Sequence, residues 1–189
     1  MSQFARGGET FTLSLSMDEA HILINLTEQL LELFGEGDFQ HHYDENDPFA
    51  ALMAMQQEIA APEDPVLRRL LPNAYADPEA ADDFRRYTEP AIRKGKQNSL
   101  RIIREELLVI VDSEQTSVIK GLDPQLWLKT LNDLRLALSV RLEIQNGSFE
   151  IFENMPDENP QKAIYAVYFW LGWLQENLLE LLNSETTDH

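Results

Sequence analysis

The sequence predicts a mainly α-helical protein, a single-domain helical bundle carrying a small N-terminal β-ribbon. Three observations predict it. Asp123–Leu142 and Pro160–Asn183 each repeat apolar residues at steps of three and four, the signature of a helix face. Both also carry large apolar side chains on the far side, so both need cover on more than one face and belong inside a bundle. Alternation with a period of two is strongest in one short stretch, Phe11, Leu13 and Leu15 between Thr and Ser.

In chain order, strands are expected near 4–6 and 10–15, joined by a turn at Gly7-Gly8. A two-stranded ribbon is marginal alone, so this one must lie against helices. Ser16-Met17-Asp18-Glu19 has the spacing of a capping box, in which the hydroxyl and the carboxylate each satisfy an unpaired amide. Leu23, Leu26, Leu30 and Leu33 then form a stripe that ends at Gly35 and Gly37. A polar loop over 35–47 follows. Its His41 and His42, beside Asp44, Glu45 and Asp47, lack the helical spacing that would bring them onto one ion. Asp47-Pro48 opens a helix to about Ala60, with Leu52, Met53, Met55 and Ile59 as its apolar content.

Asp64-Pro65 and Asp77-Pro78 are two further helix starts, an acceptor at the cap followed by a residue with no amide to leave unpaired. The first helix is short, held between Pro65 and Pro72; the second meets Pro90, where it must break or kink. Beyond Pro90, Leu100, Ile103, Leu107 and Ile110 face inward, and Arg93, Lys94, Lys96, Arg101 and Arg104 cover the other sides. Residues 116–120 are a candidate third strand.

Trp127, Leu131, Leu134, Leu138 and Leu142 form the main stripe of the next helix, with Leu136, Val140 and Ile144 opposite. An irregular link through Asn146-Gly147 and Phe149–Phe152 leads to the last helix. There Ile164, Val167, Leu171, Leu174, Leu178 and Leu182 form one face, and Phe169 and Trp173 lie on the other. The expected domain is 1–183, and 184–189 is a frayed polar tail.

The formal charge of −18 opposes direct binding of nucleic acid. The charge is uneven: Arg68 to Arg104 holds nine Lys and Arg against five Asp and Glu. Within it, Arg68, Arg69, Arg85, Arg86, Arg93 and Lys94 are the candidate contact residues for a protein partner. The absence of cysteine removes thiolate chemistry and Cys-ligated zinc. No apolar run is long enough to span a membrane, and the N-terminus lacks a secretory pattern, so the expected place is the cytoplasm.

No catalytic, metal or cofactor residues are identified. Serines sit at caps and strands, Glu105-Glu106 are neighbours that do not face each other on a helix, and His21 reads as a half-buried structural residue. The polar candidates are structural: Arg135 beside the main stripe, with Gln175, Asn132 or Glu176 as partners that set the register of the two long helices. Gly172 in mid-helix points to close packing by another element there.

Three blocks carry a family resemblance: Asp64–Tyr75 running on to Phe84–Glu89, Leu131–Leu138, and Trp170–Glu176. In their order and spacing the chain resembles an actinobacterial domain-of-unknown-function family that includes an oxidation-sensing regulator of transcription (AosR-like). The resemblance implies a non-catalytic cytoplasmic regulator that acts through a protein partner, such as a sigma factor, with no cofactor. It attributes sensing to a close cysteine pair near the N-terminus. With no cysteine here, a thiol switch cannot operate in this chain. The competing classes are a small-molecule-binding or enzymatic helical domain, which calls for an enclosed polar pocket, and a homodimer built on the Phe169–Trp173 side.

Overall fold

A computed structural model describes residues 2–35, 62–113 and 117–184. In order they form β1 (Gln3–Gly7), β2 (Thr10–Ser14), α1 (Met17–Gly35), α2 (Pro65–Leu70), α3 (Pro78–Asp112) and β3 (Val118–Lys120). Then come α4 (Pro124–Arg141), α5 (Ser148–Glu153) and α6 (Pro160–Asn183). The fold is mainly α, with one small antiparallel sheet in the order β1-β2-β3.

Local chemistry sets where most of these elements begin. Four helices start at an Asp-Pro or Asn-Pro pair, and in each the cap side chain accepts from backbone amides of the first turn. Asp64 Oδ1 takes the Val66 amide at 2.7 Å, and Asp123 Oδ1 takes that of Gln125 at 2.9 Å. At α1 the capping box closes in both directions: the Ser16 amide donates to Glu19 Oε2 at 2.8 Å, and the Glu19 amide donates to Ser16 Oγ at 3.2 Å. Gly8, with φ of +63°, makes the tight turn between β1 and β2, a conformation that costs other residues a clash at Cβ. The candidate strand at 116–120 appears as β3, with Leu13 opposite Ile119.

Two helix pairs make up the body. α1 packs along α3, α4 packs along α6, and α3 and α4 join the pairs. Leu100, Ile103, Leu107 and Ile110 of α3 are buried, as are Trp127, Leu131, Leu134 and Leu138 of α4 and Leu171, Leu174 and Leu178 of α6. The sheet closes one side: β1 lies on α6 and β3 touches α3. The Phe4 ring meets Trp127 edge-on at 5.6 Å, its amide donates to Asn177 Oδ1 at 2.7 Å, and Trp170 Nε1 donates to Ser2 Oγ at 2.8 Å. Trp127 Nε1 in turn donates to Glu106 Oε2 at 2.7 Å, so the buried indole keeps its polar edge satisfied.

Several expectations are corrected. α3 runs through Pro90 without ending. The link after α4 holds a helical turn and a half, α5, launched by Gly147 at φ of +90°. His21 is exposed, and so is Ile164 near the start of α6. On α1 the buried positions are Ala20, Leu23, Ile24, Thr27, Leu30 and Phe34, so Leu26 and Leu33 sit at the edge of the face. The polar loop with His41 and His42, the Asp47–Ala60 helix and the end of the tail lie outside the described residues.

Candidate functional site

The basic segment is built on α2 and α3. Along α3, Arg85, Glu89 and Arg93 stand four residues apart and therefore share one face. Arg93 Nη2 reaches Glu89 Oε1 at 2.7 Å, and Arg85 Nε lies 3.6 Å from Glu89 Oε2. Arg85 also donates to Asp82 at 2.7 Å and to Asn73 Oδ1, while Arg93 Nη1 donates to the Phe34 carbonyl at 3.2 Å. That carbonyl belongs to the end of α1, where the helix dipole favours a cation. All three side chains are nearly inaccessible, at 6%, 4% and 5% exposure. Their pairing also explains why α3 survives Pro90. The ring removes one backbone hydrogen bond, and the ladder ties together the turns on either side of it.

This placement divides the six candidate contact residues. Arg85 and Arg93 are buried parts of the bundle, not surface. Arg86 is half-buried and lies 3.4 Å from Asp83. Arg68 and Arg69, in the last turn of α2, and Lys94 are exposed. Other cations of the segment also face acids on neighbouring helices. Lys96 Nζ binds both oxygens of Asp133 at 2.7 Å, joining α3 to α4, and Arg104 Nε meets Glu28 at 2.6 Å, joining α3 to α1. The local positive balance is therefore largely consumed inside the molecule. Periodicity could not reveal that, because Arg is ordinarily a surface residue. The four-residue spacing around Glu89 was the available signal.

Next to this ladder is an open cleft of about 270 Å³, lined by Leu70, Leu71, Asn73, Phe84, Arg85 and Glu89 among others. Its buried charges face one another, and Glu89 Oε2, though 3.6 Å from Arg85 Nε, accepts no hydrogen bond among the described residues.

The expected structural network is centred on Arg135. Its Nη1 donates to Gln175 Oε1 at 3.2 Å, and the guanidinium lies over the Tyr168 ring at 5.0 Å. Gly172 makes room for it: a Cβ there would stand 3.2 Å from Arg135 Cζ. Asn132 and Glu176 are exposed, and no hydrogen bond joins either to Arg135 among the described residues.

Burial decides the direction in which two carboxyls shift and is overruled at a third. It pushes Asp133 up, against the Lys96 ammonium that would hold it down. It likewise pushes Glu106 up, opposed by the Trp127 donor and assisted by the charge of Asp123. At Asp64 burial acts in the same direction, but the Val66 amide, Arg141 and the Leu67 amide together outweigh it and hold the carboxyl below its usual range. Among the described residues there is no group of three or more His, Cys, Asp or Glu placed to hold a metal ion. No helix among them is long and apolar enough to cross a membrane.

The geometry is that of a helical protein whose buried polar groups are spent largely on register and packing. The chain belongs to the family described as Domain of unknown function (DUF2017), which matches residues 1–182. It is 33% identical to the Oxidative stress regulator AosR of Mycobacterium tuberculosis and to that of Mycobacterium bovis, over 94% of this chain and 84% of theirs. It is 31% identical to the Putative oxidative stress regulator AosR of Mycobacterium leprae, over 91% of this chain and 82% of that one. No solved structure matches the chain.

Proposed function

We propose that this protein is a non-catalytic cytoplasmic regulator that adjusts transcription by contact with another protein, of the sigma-factor kind. The observation that carries this reading is the similarity, along nearly the whole chain, to proteins named as oxidative stress regulators. With no cysteine in the sequence, any signal it transmits enters by a route other than a thiol of its own. Its acidic charge suits a protein partner better than a phosphate backbone.

The contact region we assign is the exposed end of α2 and the neighbouring part of α3. Arg68 and Arg69 face solvent there, close in sequence to the exposed Tyr75 ring, which packs edge-on to Phe84 at 5.6 Å. Exposed Arg and Tyr are residue types that dominate contact energies. The test is co-purification of the tagged chain with RNA polymerase and its sigma factors from the native cytoplasm, each identified by mass spectrometry. Recovery of one sigma factor, lost in Arg68→Glu/Arg69→Glu, is expected. Equal recovery with the double variant would move the contact elsewhere, and recovery of no transcription protein would end the reading.

A further inference from the structure

Opposite the buried Leu171, Leu174 and Leu178, α6 turns Phe169, Trp173, Glu176 and Glu180 outward at steps of three and four residues. α5 lies over the start of this strip. Phe149 meets the Phe169 ring edge-on at 5.2 Å, and Phe152 lies 5.2 Å from the same ring. The cover is incomplete: Phe149 remains 52% exposed and Trp173 36%. None of these four rings is itself fully buried: Phe152, stacked on the buried Tyr165 at 6.3 Å, and Phe169 are half-buried, while Phe149 and Trp173 stay exposed. Exposed rings seated on half-buried ones at the edge of a bundle mark a recognition surface.

Charge selects the occupant. From Leu142 to Ser184 the sequence has seven acidic residues and one basic residue, Lys162, and Lys162 is bound to Asp157 at 2.6 Å. Glu150 and Glu153 flank the rings on α5; Glu176 and Glu180 continue the strip on α6. A second copy docked by two-fold symmetry would set this acidic collar against itself, and like charges placed face to face are unfavourable. A cationic surface meets the opposite situation. Its Arg or Lys groups find carboxylates at the rim and ring faces at the centre, where guanidinium groups also bind. From Phe169 to Glu180 the strip is ~16 Å long, at 1.5 Å per residue, which is about three turns of a facing helix.

We propose that the Phe149–Phe169–Trp173 face docks a cationic amphipathic helix of a protein partner. Its aliphatic side chains cover the rings, and its Lys and Arg meet Glu150, Glu153, Glu176 and Glu180. The proposal is independent of the transcription reading, which concerns the opposite charge on α2 and α3.

The probe is a synthetic 18-residue Leu/Lys helix, apolar on one side, titrated into the full chain by fluorescence anisotropy at physiological salt. A scrambled peptide of the same composition is the comparison. Phe149→Ser/Trp173→Ser and Glu150→Lys/Glu153→Lys should each weaken binding by about tenfold or more, the loss expected when contact anchors are removed. Glu32→Lys/Glu105→Lys, an equal charge change at exposed positions of α1 and α3, should leave it within about twofold. These substitutions alter exposed side chains, and circular dichroism confirms that each variant is folded. Equal weakening by all three variants would show general attraction to an acidic chain and overturn the proposal. So would unchanged binding in the first two. Sedimentation supplies a further arm: a dimer abolished by Phe149→Ser/Trp173→Ser would assign the face to a second copy instead.

Discussion

Replacing Gly172 by alanine sets two effects of similar size against each other. In an isolated helix the change stabilises by about 1 kcal/mol, because glycine loses more backbone freedom on folding. Here the new Cβ would stand 3.2–3.3 Å from three atoms of the Arg135 guanidinium, so that group must retreat by a few tenths of an ångström. It is held between the Tyr168 ring and Gln175, and the hydrogen bond to Gln175 is already long at 3.2 Å. Losing that bond costs about 0.5–1.5 kcal/mol. Weakening the cation–ring contact costs about 0.5–1 kcal/mol. The expected net result is a change between zero and about 1.5 kcal/mol of destabilisation, where a glycine without such a neighbour would give a gain. In an Arg135→Ala background the obstacle is gone, and Gly172→Ala should stabilise by about 1 kcal/mol. Urea unfolding of the four proteins closes a double-mutant cycle, with an expected coupling of about 1–2.5 kcal/mol. Equal effects of Gly172→Ala in both backgrounds would refute the role assigned to Arg135.

Two further expectations concern charges inside the bundle. Glu89→Ala leaves the Arg85 and Arg93 guanidinium groups buried without their shared carboxylate, and should cost about 3–5 kcal/mol in urea unfolding; a loss under about 1 kcal/mol would mean that the ladder is not needed to hold α3 across Pro90. Asp64→Ala removes both the α2 cap and the partner of Arg141, and should cost about 1 kcal/mol at pH 7. Because the Asp64 carboxyl is held below its unfolded value, this contribution is fully present above about pH 4 and disappears as pH falls through the folded value. The gap between wild type and variant should therefore narrow on acidification; a gap that is constant down to pH 2 would contradict this.

What could be read from the sequence and what could not have separate physical origins. Asp123-Pro124 and Ser16–Glu19 were legible because a cap is a contact between near neighbours in the chain. The α4 and α6 stripes were legible because burial repeats with the helix period. Gly172 implied a close neighbour for a similar reason: a residue that weakens a helix interior is best explained by what it admits, here the Arg135 side chain. α5 was missed because six residues are too few to display a period. Arg85 and Arg93 were assigned to the surface by composition. Their burial depends on Glu89 and the end of α1, and the latter is a partner some fifty residues or more away. The aromatic strip was half legible. Phe169 and Trp173 asked for cover, but only the fold shows that α5 reaches the first and leaves part of the second open.

The contact of β1 with α6 has a bearing on biosynthesis. The ring of Phe4 rests on Trp127, and its amide is bound by Asn177, separated from it by 173 positions. Translation delivers the first strands long before either docking site has emerged from the ribosome. Until α6 is released, β1 lacks one of its docking sites, and its greasy side chains are more open to chaperones or to wrong pairings. Docking of β1 on α6 can therefore follow only once α6 has been made.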